Sequence, residues 1–548
     1  MSNTWKNVLK YAALVTYLAC GESSSTFGQN YHSQVWNPDL GNGKFKNPII
    51  NADYSDPDAI RVGEDYYMTA SSFNHSPGLP ILHSKDMINW TIIGHALPRQ
   101  VPEAVFSKVQ HGGGVWAPSI RYHNDEFYIY YPDPDFGIYQ IKTKNIGGPW
   151  SDPKLVFEGK GLIDPCPFWD EDGRAYLAYA YAGSRAGLKS VIGIARMNGE
   201  GTQVLDRGTI VYDGHELDPT IEGPKVYKRN GYYYLFAPAG GVATGWQLIL
   251  RSKNIYGPYE RKVAMAQNKS TVNGPHQGAW VDTPTGEDWF FHFQDKETMG
   301  RVVHLQPMVW KADWPVIGED KDGDGVGTPV MSYKKPNVGT SVFPQANPQE
   351  SDEFDTPQLG LQWQWQANPD GTWLMPSQDG KLRLYSQQPP EGSKNLMAAP
   401  NILTQKFPAD DFSATAKIRL RPSEKDLGEQ AGFVVVGEDY SQLFIRKDKG
   451  SFQLYYGSCA SAYAGTEEQV KPIAILPEDF VYLRVQVKNG NTCSWSYSLD
   501  GNKYTAVENG FQAKPGKWIG ATLGLYASRE KQINDSGYAE VDWFRVDQ

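Results

Sequence analysis

Five short segments each set one chemically useful side chain beside or near a proline. SDPDAI carries Asp56, VWAPSI carries Trp116, IDPCPF carries Asp164, IEGPKV carries Glu222 and NGPHQGAW carries His276. Two Asp and one Glu are the groups that cleavage of a glycosidic bond needs. One carboxylic acid protonates the leaving oxygen, and a carboxylate works on the other face of the sugar. Opposite roles require environments that split the two pKa values. A third carboxylate close to the acid helps, because like charge disfavours ionisation of its neighbour. Arg301, in GRVVHLQPMVW, is placed to hold sugar hydroxyls and to keep a nearby carboxylate ionised. Taken singly, each residue has an ordinary structural use. An Asp before Pro is a common turn starter, a lone histidine is commonly structural, and a lone tryptophan commonly packs.

Their register argues otherwise. A strand-like aromatic segment recurs five times: EDYYMTAS, DEFYIYYP, GRAYLAYA, NGYYYLFA and EDWFFHFQ. Most open on an Asn, Asp or Gly turn signal and continue with alternating β-formers. With Tyr66, Phe127, Ala175, Tyr232 and Trp289 as markers, the repeats are 48 to 61 residues apart. Periods of that size with short strands and no helical pattern predict propeller blades. Each candidate residue lies 10 to 13 residues before its marker. The first strand of a propeller blade lines the axis, so five equivalent positions must converge. The expected architecture is all-β: a five-bladed β-propeller over 45–335 followed by a β-sandwich over 350–548.

A chain of 548 residues is too long for one ordinary core. Its net charge of -10 argues against a nucleic-acid partner and suits a neutral substrate. The 17 Trp and 32 Tyr hint at sugar stacking, although β-rich folds use these residues in any case. Residues 1–27 read as an export leader and tether. Lys6 and Lys10 precede a short apolar run from Tyr11 to Ala19, too short to span a bilayer. Leu18-Ala19-Cys20 resembles the end of a lipoprotein cleavage box, with Tyr17 an unusual residue for it, so the expected location is the periplasm with a lipid anchor through Cys20. Four cysteines are too few for a disulfide framework or a zinc site, and a Cys459–Cys493 bridge within the second domain is left open.

The segments NADYSDPDAIRVGEDYYM, GGGVWAPSIRYHNDEFYIYY, LIDPCPFWDEDGRAYL, IEGPKVYKRNGYYYLF and GRVVHLQPMVW, in this order, resemble glycoside hydrolase family 43. The resemblance implies that Asp56 is the general base, Glu222 the general acid, and Asp164 the group that tunes and orients the acid. It places Trp116 and Arg301 around the sugar nearest the base. His276 matches a family histidine near the axis that often sits by a bound calcium. Family members of this kind remove terminal α-L-arabinofuranose or β-D-xylose with inversion. The expected activity is release of arabinofuranosyl units from plant hemicellulose oligosaccharides, with β-xylosidase as the alternative; no cofactor is needed for the chemistry. A related family acting on fructosides by retention shows Asn-Asp-Pro-Asn and Glu-Cys where this chain has Ser-Asp-Pro-Asp and Glu-Gly. A non-catalytic sugar-binding lipoprotein is the reading from another class, and it has no need of three carboxylates together.

KKPNVGTSVFPQANPQESDEF reads as a linker, and the strands beyond it resemble the concanavalin-like domain of family 43 enzymes, which packs on the propeller and can lend a loop to the pocket. Asp352, Glu353 and Asp542 are candidates to share a calcium there. EDKDGDGVG begins like a calcium-binding EF-hand loop at Asp320, Asp322 and Asp324, but position twelve is Met331 rather than a bidentate glutamate, so a surface loop is expected.

Overall fold

In the computed structural model, the residues described are 31–548, apart from 341, 376–378 and 426. The leader, its Cys20 and the tether lie outside them. The chain is nearly all β. Five sheets of four consecutive antiparallel strands form the propeller. Their inner strands are Asp58–Val62, Ser119–His123, Leu162–Trp169, Lys225–Arg229 and His276–Asp282. The turns after these strands use left-handed backbone at Gly63, Asn124 and Asp125, Gly173, Asn230 and Gly231, and Gly286. These are residue types that accept positive φ in tight hairpins.

The second strands are the aromatic segments of the repeat. Glu126–Asp133 is buried along nearly its whole length rather than on alternate residues, because a blade is covered by a neighbour on each face. Adjacent blades interlock through rings: Tyr67 meets Phe127 edge-on at 5.4 Å, and Phe236 stacks on Phe290 at 5.9 Å. Among the described residues, no blade is completed by a strand from the other end of the chain. Instead Lys44–Lys46 pairs with Ser332–Lys334. The following segment runs along the third strand of blade five, Arg301–Lys311, where Ile50 and Val303 exchange backbone bonds and the Tyr54 N–H donates to the Arg301 carbonyl at 3.0 Å. That path delivers Asp56 to the side of Arg301.

The C-terminal sandwich has a seven-stranded and a six-stranded sheet. Here the period of two is clear. In Phe480–Lys488, Val481, Leu483, Val485 and Val487 turn inward and the residues between them do not. Cys459 ends a strand of the first sheet and Cys493 lies in a strand of the second. Both are buried and unbridged, so the disulfide left open by the sequence does not form.

The sandwich docks on the propeller. Ser76 and Trp365 exchange two backbone hydrogen bonds, at 2.9 and 2.6 Å. Lys296 pairs with Asp410, and the Ala521 N–H donates to the Thr298 carbonyl at 2.7 Å.

Candidate active site

The five in-register residues do converge. Asp56, Trp116, Asp164, Glu222 and His276 line one pocket of 120 Å³, together with Arg301, Phe73, Gln277, Val242 and Trp518. Asp56, Trp116 and Glu222 stand just before an inner strand, Asp164 lies within one at a break in register, and His276 begins one. Asp56 and Asp164 hold φ of 55° and 54°. Left-handed backbone is unusual outside glycine but tolerated by aspartate, and here it turns a carboxyl from the strand direction into the axis. Strain of this kind persists where surrounding structure over-determines it.

Asp56 is 6% exposed and fully engaged. Its Oδ2 accepts from the Ser55 hydroxyl at 2.7 Å and the Ser71 hydroxyl at 2.6 Å. Arg301 Nη1 donates to Oδ1 at 3.2 Å and to the Ser55 hydroxyl at 2.9 Å. Two hydroxyl donors and a guanidinium thus hold this carboxylate in one orientation.

Asp164 and Glu222 form a second unit. Asp164 is buried, and its Oδ2 accepts from the Gly223 amide at 2.7 Å. Burial raises its pKa well above the usual carboxylate range, and the negative charge of Glu222 adds to this; the Gly223 hydrogen bond opposes both. The two carboxyls therefore lie close enough for the charge of one to act on the other. Glu222, with a third of its side chain exposed, is the member that faces the pocket. His276 Nε2 is 2.9 Å from Glu222 Oε1 and fixes its orientation.

Trp116 donates its indole N–H to the Gly112 carbonyl at 2.9 Å. Its ring meets Phe73 at 6.4 Å and Trp518 at 5.8 Å, both edge-on. Trp518 comes from the sandwich, so the second domain supplies one wall of the pocket.

Residues 45–315 match the glycosyl hydrolases family 43, and residues 351–547 match a beta xylosidase C-terminal concanavalin A-like domain. A Xylanibacter ruminicola protein is 40% identical over 494 residues, covering 89% of this chain and 86% of its own. This chain belongs to glycosyl hydrolase family 43. A beta-xylosidase of Formosa agariphila is 34% identical, with 93% of this chain and 91% of that one covered. A non-reducing end alpha-L-arabinofuranosidase of Bacteroides ovatus is 28% identical, over 93% and 96%. Among solved structures, a xylan beta-1,4-xylosidase from Bacillus halodurans superposes with a TM-score of 0.79 at 25% identity, covering 92% of this chain and all of that one. The chain is thus a family 43 glycoside hydrolase, and the reading as a non-catalytic binder falls.

The metal expectations fare differently. A calcium takes six to eight oxygen ligands. Next to His276 the family 43 pocket offers the Glu222 carboxylate, which the histidine already holds. Three residues beyond Glu222, the buried Lys225 sets its ammonium on the Pro118 carbonyl and the Ser119 hydroxyl, 3.7 Å from Asp58. Arg121 binds the same Asp58 at 2.6 Å. The second ring nitrogen of His276, Nδ1, is buried without a hydrogen-bond partner among the described residues. In the sandwich, Asp352, Glu353 and Asp542 are not brought together. Asp352 accepts from the Phe354 and Gly360 amides and the Trp363 indole, Glu353 pairs with Arg545, and Asp542 pairs with Lys417. Among the described residues, metal-capable side chains converge at Asp320, Asp322 and Asp324, in the surface loop after blade five, where Lys311 already pairs with Asp320.

Reading the sequence missed Trp518, Gln277, Phe73 and the two serines on Asp56. Ser55 adjoins Asp56 and was open to notice. Trp518 had one faint signal, a tryptophan in the turn-rich stretch KPGKWIG. A larger cavity of 650 Å³ opens among the far ends of the inner strands. Its lining includes the pairs Arg61 with Asp282 and Lys228 with Asp170, and also His123 and Asp288, which accepts the Trp280 indole N–H.

Proposed function

We propose that this enzyme removes single pentose units from the non-reducing ends of hemicellulose oligosaccharides, with inversion, and that β-D-xylosides are its first substrates. The observation that carries this reading is the pocket itself. Three carboxylates meet in 120 Å³ closed on one side by Trp518, space suited to one terminal sugar ring rather than a chain passing through. In the reaction, water held by Asp56 attacks the anomeric carbon and gives its proton to that carboxylate. The bond to the leaving oxygen breaks, and Glu222 gives that oxygen a proton. Asp164 holds the amide of Gly223 and so sets the carboxyl of Glu222 in place. Arg301 and Trp116 bind the sugar, and Arg301 holds the Asp56 carboxylate in place.

The preference for arabinofuranosides rested on family likeness alone. The relatives named as xylosidases move the choice to xylose, while the Bacteroides ovatus relative supports arabinofuranose as the second reading. The chemistry calls for no cofactor. The leader supports export, which would bring the enzyme to oligosaccharides outside the cytoplasm.

The test is hydrolysis of paired chromogenic β-D-xyloside and α-L-arabinofuranoside substrates. Faster cleavage of the xyloside is expected; faster cleavage of the arabinofuranoside would reverse the assignment, and cleavage of neither would overturn it.

A further inference from the structure

One buried carboxylate outside the reacting trio touches both halves of the site. Asp53 is 7% exposed. Its Oδ1 accepts the Arg301 amide N–H at 2.9 Å, and its Oδ2 accepts the Gly520 amide N–H at 2.9 Å. The first bond fixes the residue whose guanidinium holds Asp56. The second fixes the sandwich loop two residues after Trp518. Burial raises the pKa of Asp53, while the nearby Lys406 charge and the two amides act the other way.

The packing around this junction leaves no slack. A Cβ on Gly520 would come within 2.7 Å of the Gly300 nitrogen and the Met299 carbonyl carbon. Gly300 holds φ of 74°, and a Cβ there would lie 2.4 Å from the Asp53 carboxyl carbon. The Thr298 hydroxyl donates to the Ala513 carbonyl at 3.2 Å, closing the other end of the same loop. The indole of Trp518 then rests 6.0 Å from the Arg301 guanidinium carbon and 5.8 Å from the Trp116 ring.

We propose that Asp53 is a positioning residue that clasps the sandwich loop to the propeller, setting Trp518 and Arg301 in register so that the pocket is complete only when the two domains are docked. This rests on the family 43 hydrolase reading of the pocket. Neither amide donor is a substrate contact, so the role differs from the acid, base and tuner. An asparagine at this position keeps the size but can accept only one of the two N–H groups, turning an NH₂ toward the other.

The experiment is a double-mutant cycle with Asp53→Asn and Trp518→Ala, measuring kcat and KM on the aryl pentoside that wild type cleaves. Alongside it, amide hydrogen exchange is measured over residues 514–522. Loosening the wall should raise KM about tenfold in Asp53→Asn, with kcat falling less. In the Trp518→Ala background the same change should cost clearly less, because the residue it positions is gone. Exchange at 514–522 should speed up severalfold while the sandwich core stays protected. Equal KM effects in both backgrounds would overturn the proposal, as would unchanged exchange in the loop. The exchange result needs no turnover, so it tells a failed clasp from a wrong activity. Gly520→Ala, which keeps Asp53 and displaces the loop, should reproduce the KM rise and serves if Asp53→Asn does not fold.

Discussion

The amide of Gly223 donates to Oδ2 of Asp164 at 2.7 Å, so the carboxyl that repels charge on Glu222 also grips the peptide beside it. One side chain thus both neighbours Glu222 and fixes the peptide that follows it. Replacing Asp164 by Asn keeps an acceptor for that amide and removes the charge. Steady-state kinetics on an oligosaccharide should then show kcat falling about 10²-fold with KM changed less.

The same substitution should stabilise the fold. Burial and Glu222 raise the pKa of Asp164 in the native state. Its contribution to stability is therefore fully present below the unfolded value of about 3.9. It is lost as pH rises through the raised native value. Asp164→Asn should be more stable than wild type at pH 8 by about 1–3 kcal/mol, and the gap should close on acidification. Thermal unfolding of both proteins across that range checks it; a wild type that is the more stable at pH 8 would contradict it.

Trp518 is 42% exposed and comes from the other domain. Trp518→Ala should raise KM about tenfold while changing stability by under about 1 kcal/mol. Steady-state kinetics with a melting curve separates a lost pocket wall from a damaged fold.

Arg301 bridges Asp56 and Ser55 from a site 9% exposed. Arg301→Met leaves Asp56 without its guanidinium partner and takes away a donor to the sugar. A fall in kcat/KM of about 10²–10³-fold is expected, and Arg301→Lys should recover little of it, since a lysine cannot reproduce the guanidinium fork.

Among the described residues, the acidic cluster able to hold a metal, Asp320, Asp322 and Asp324, does not line the pocket. Chelator treatment should therefore leave kcat/KM within about twofold. A loss above tenfold that calcium restores would contradict this.

The propeller was legible because each blade repeats one turn and one aromatic strand, and because the residues of use sit at the same point of the repeat. Asp56, Asp164 and Glu222 could be brought together from register alone. The contribution of Trp518 could not, since it depends on how two domains dock, and no periodicity encodes that. The sandwich calcium failed for a related reason. Asp352, Glu353 and Asp542 are acidic, yet each is consumed by its own amide or cation partners. The Cys459–Cys493 pairing likewise depended on which sheet each strand joins.

The central claim is that Glu222 gives the proton and Asp56 activates the water. Leaving-group dependence tests it most directly. A dinitrophenyl glycoside departs without protonation, whereas an oligosaccharide does not. Glu222→Ala should lose about 10³-fold or more on the oligosaccharide and under about tenfold on the dinitrophenyl substrate, while Asp56→Ala should lose about 10³-fold or more on both. Equal losses on the two substrates in Glu222→Ala, or an Asp56→Ala enzyme that still cleaves the activated one, would contradict the account.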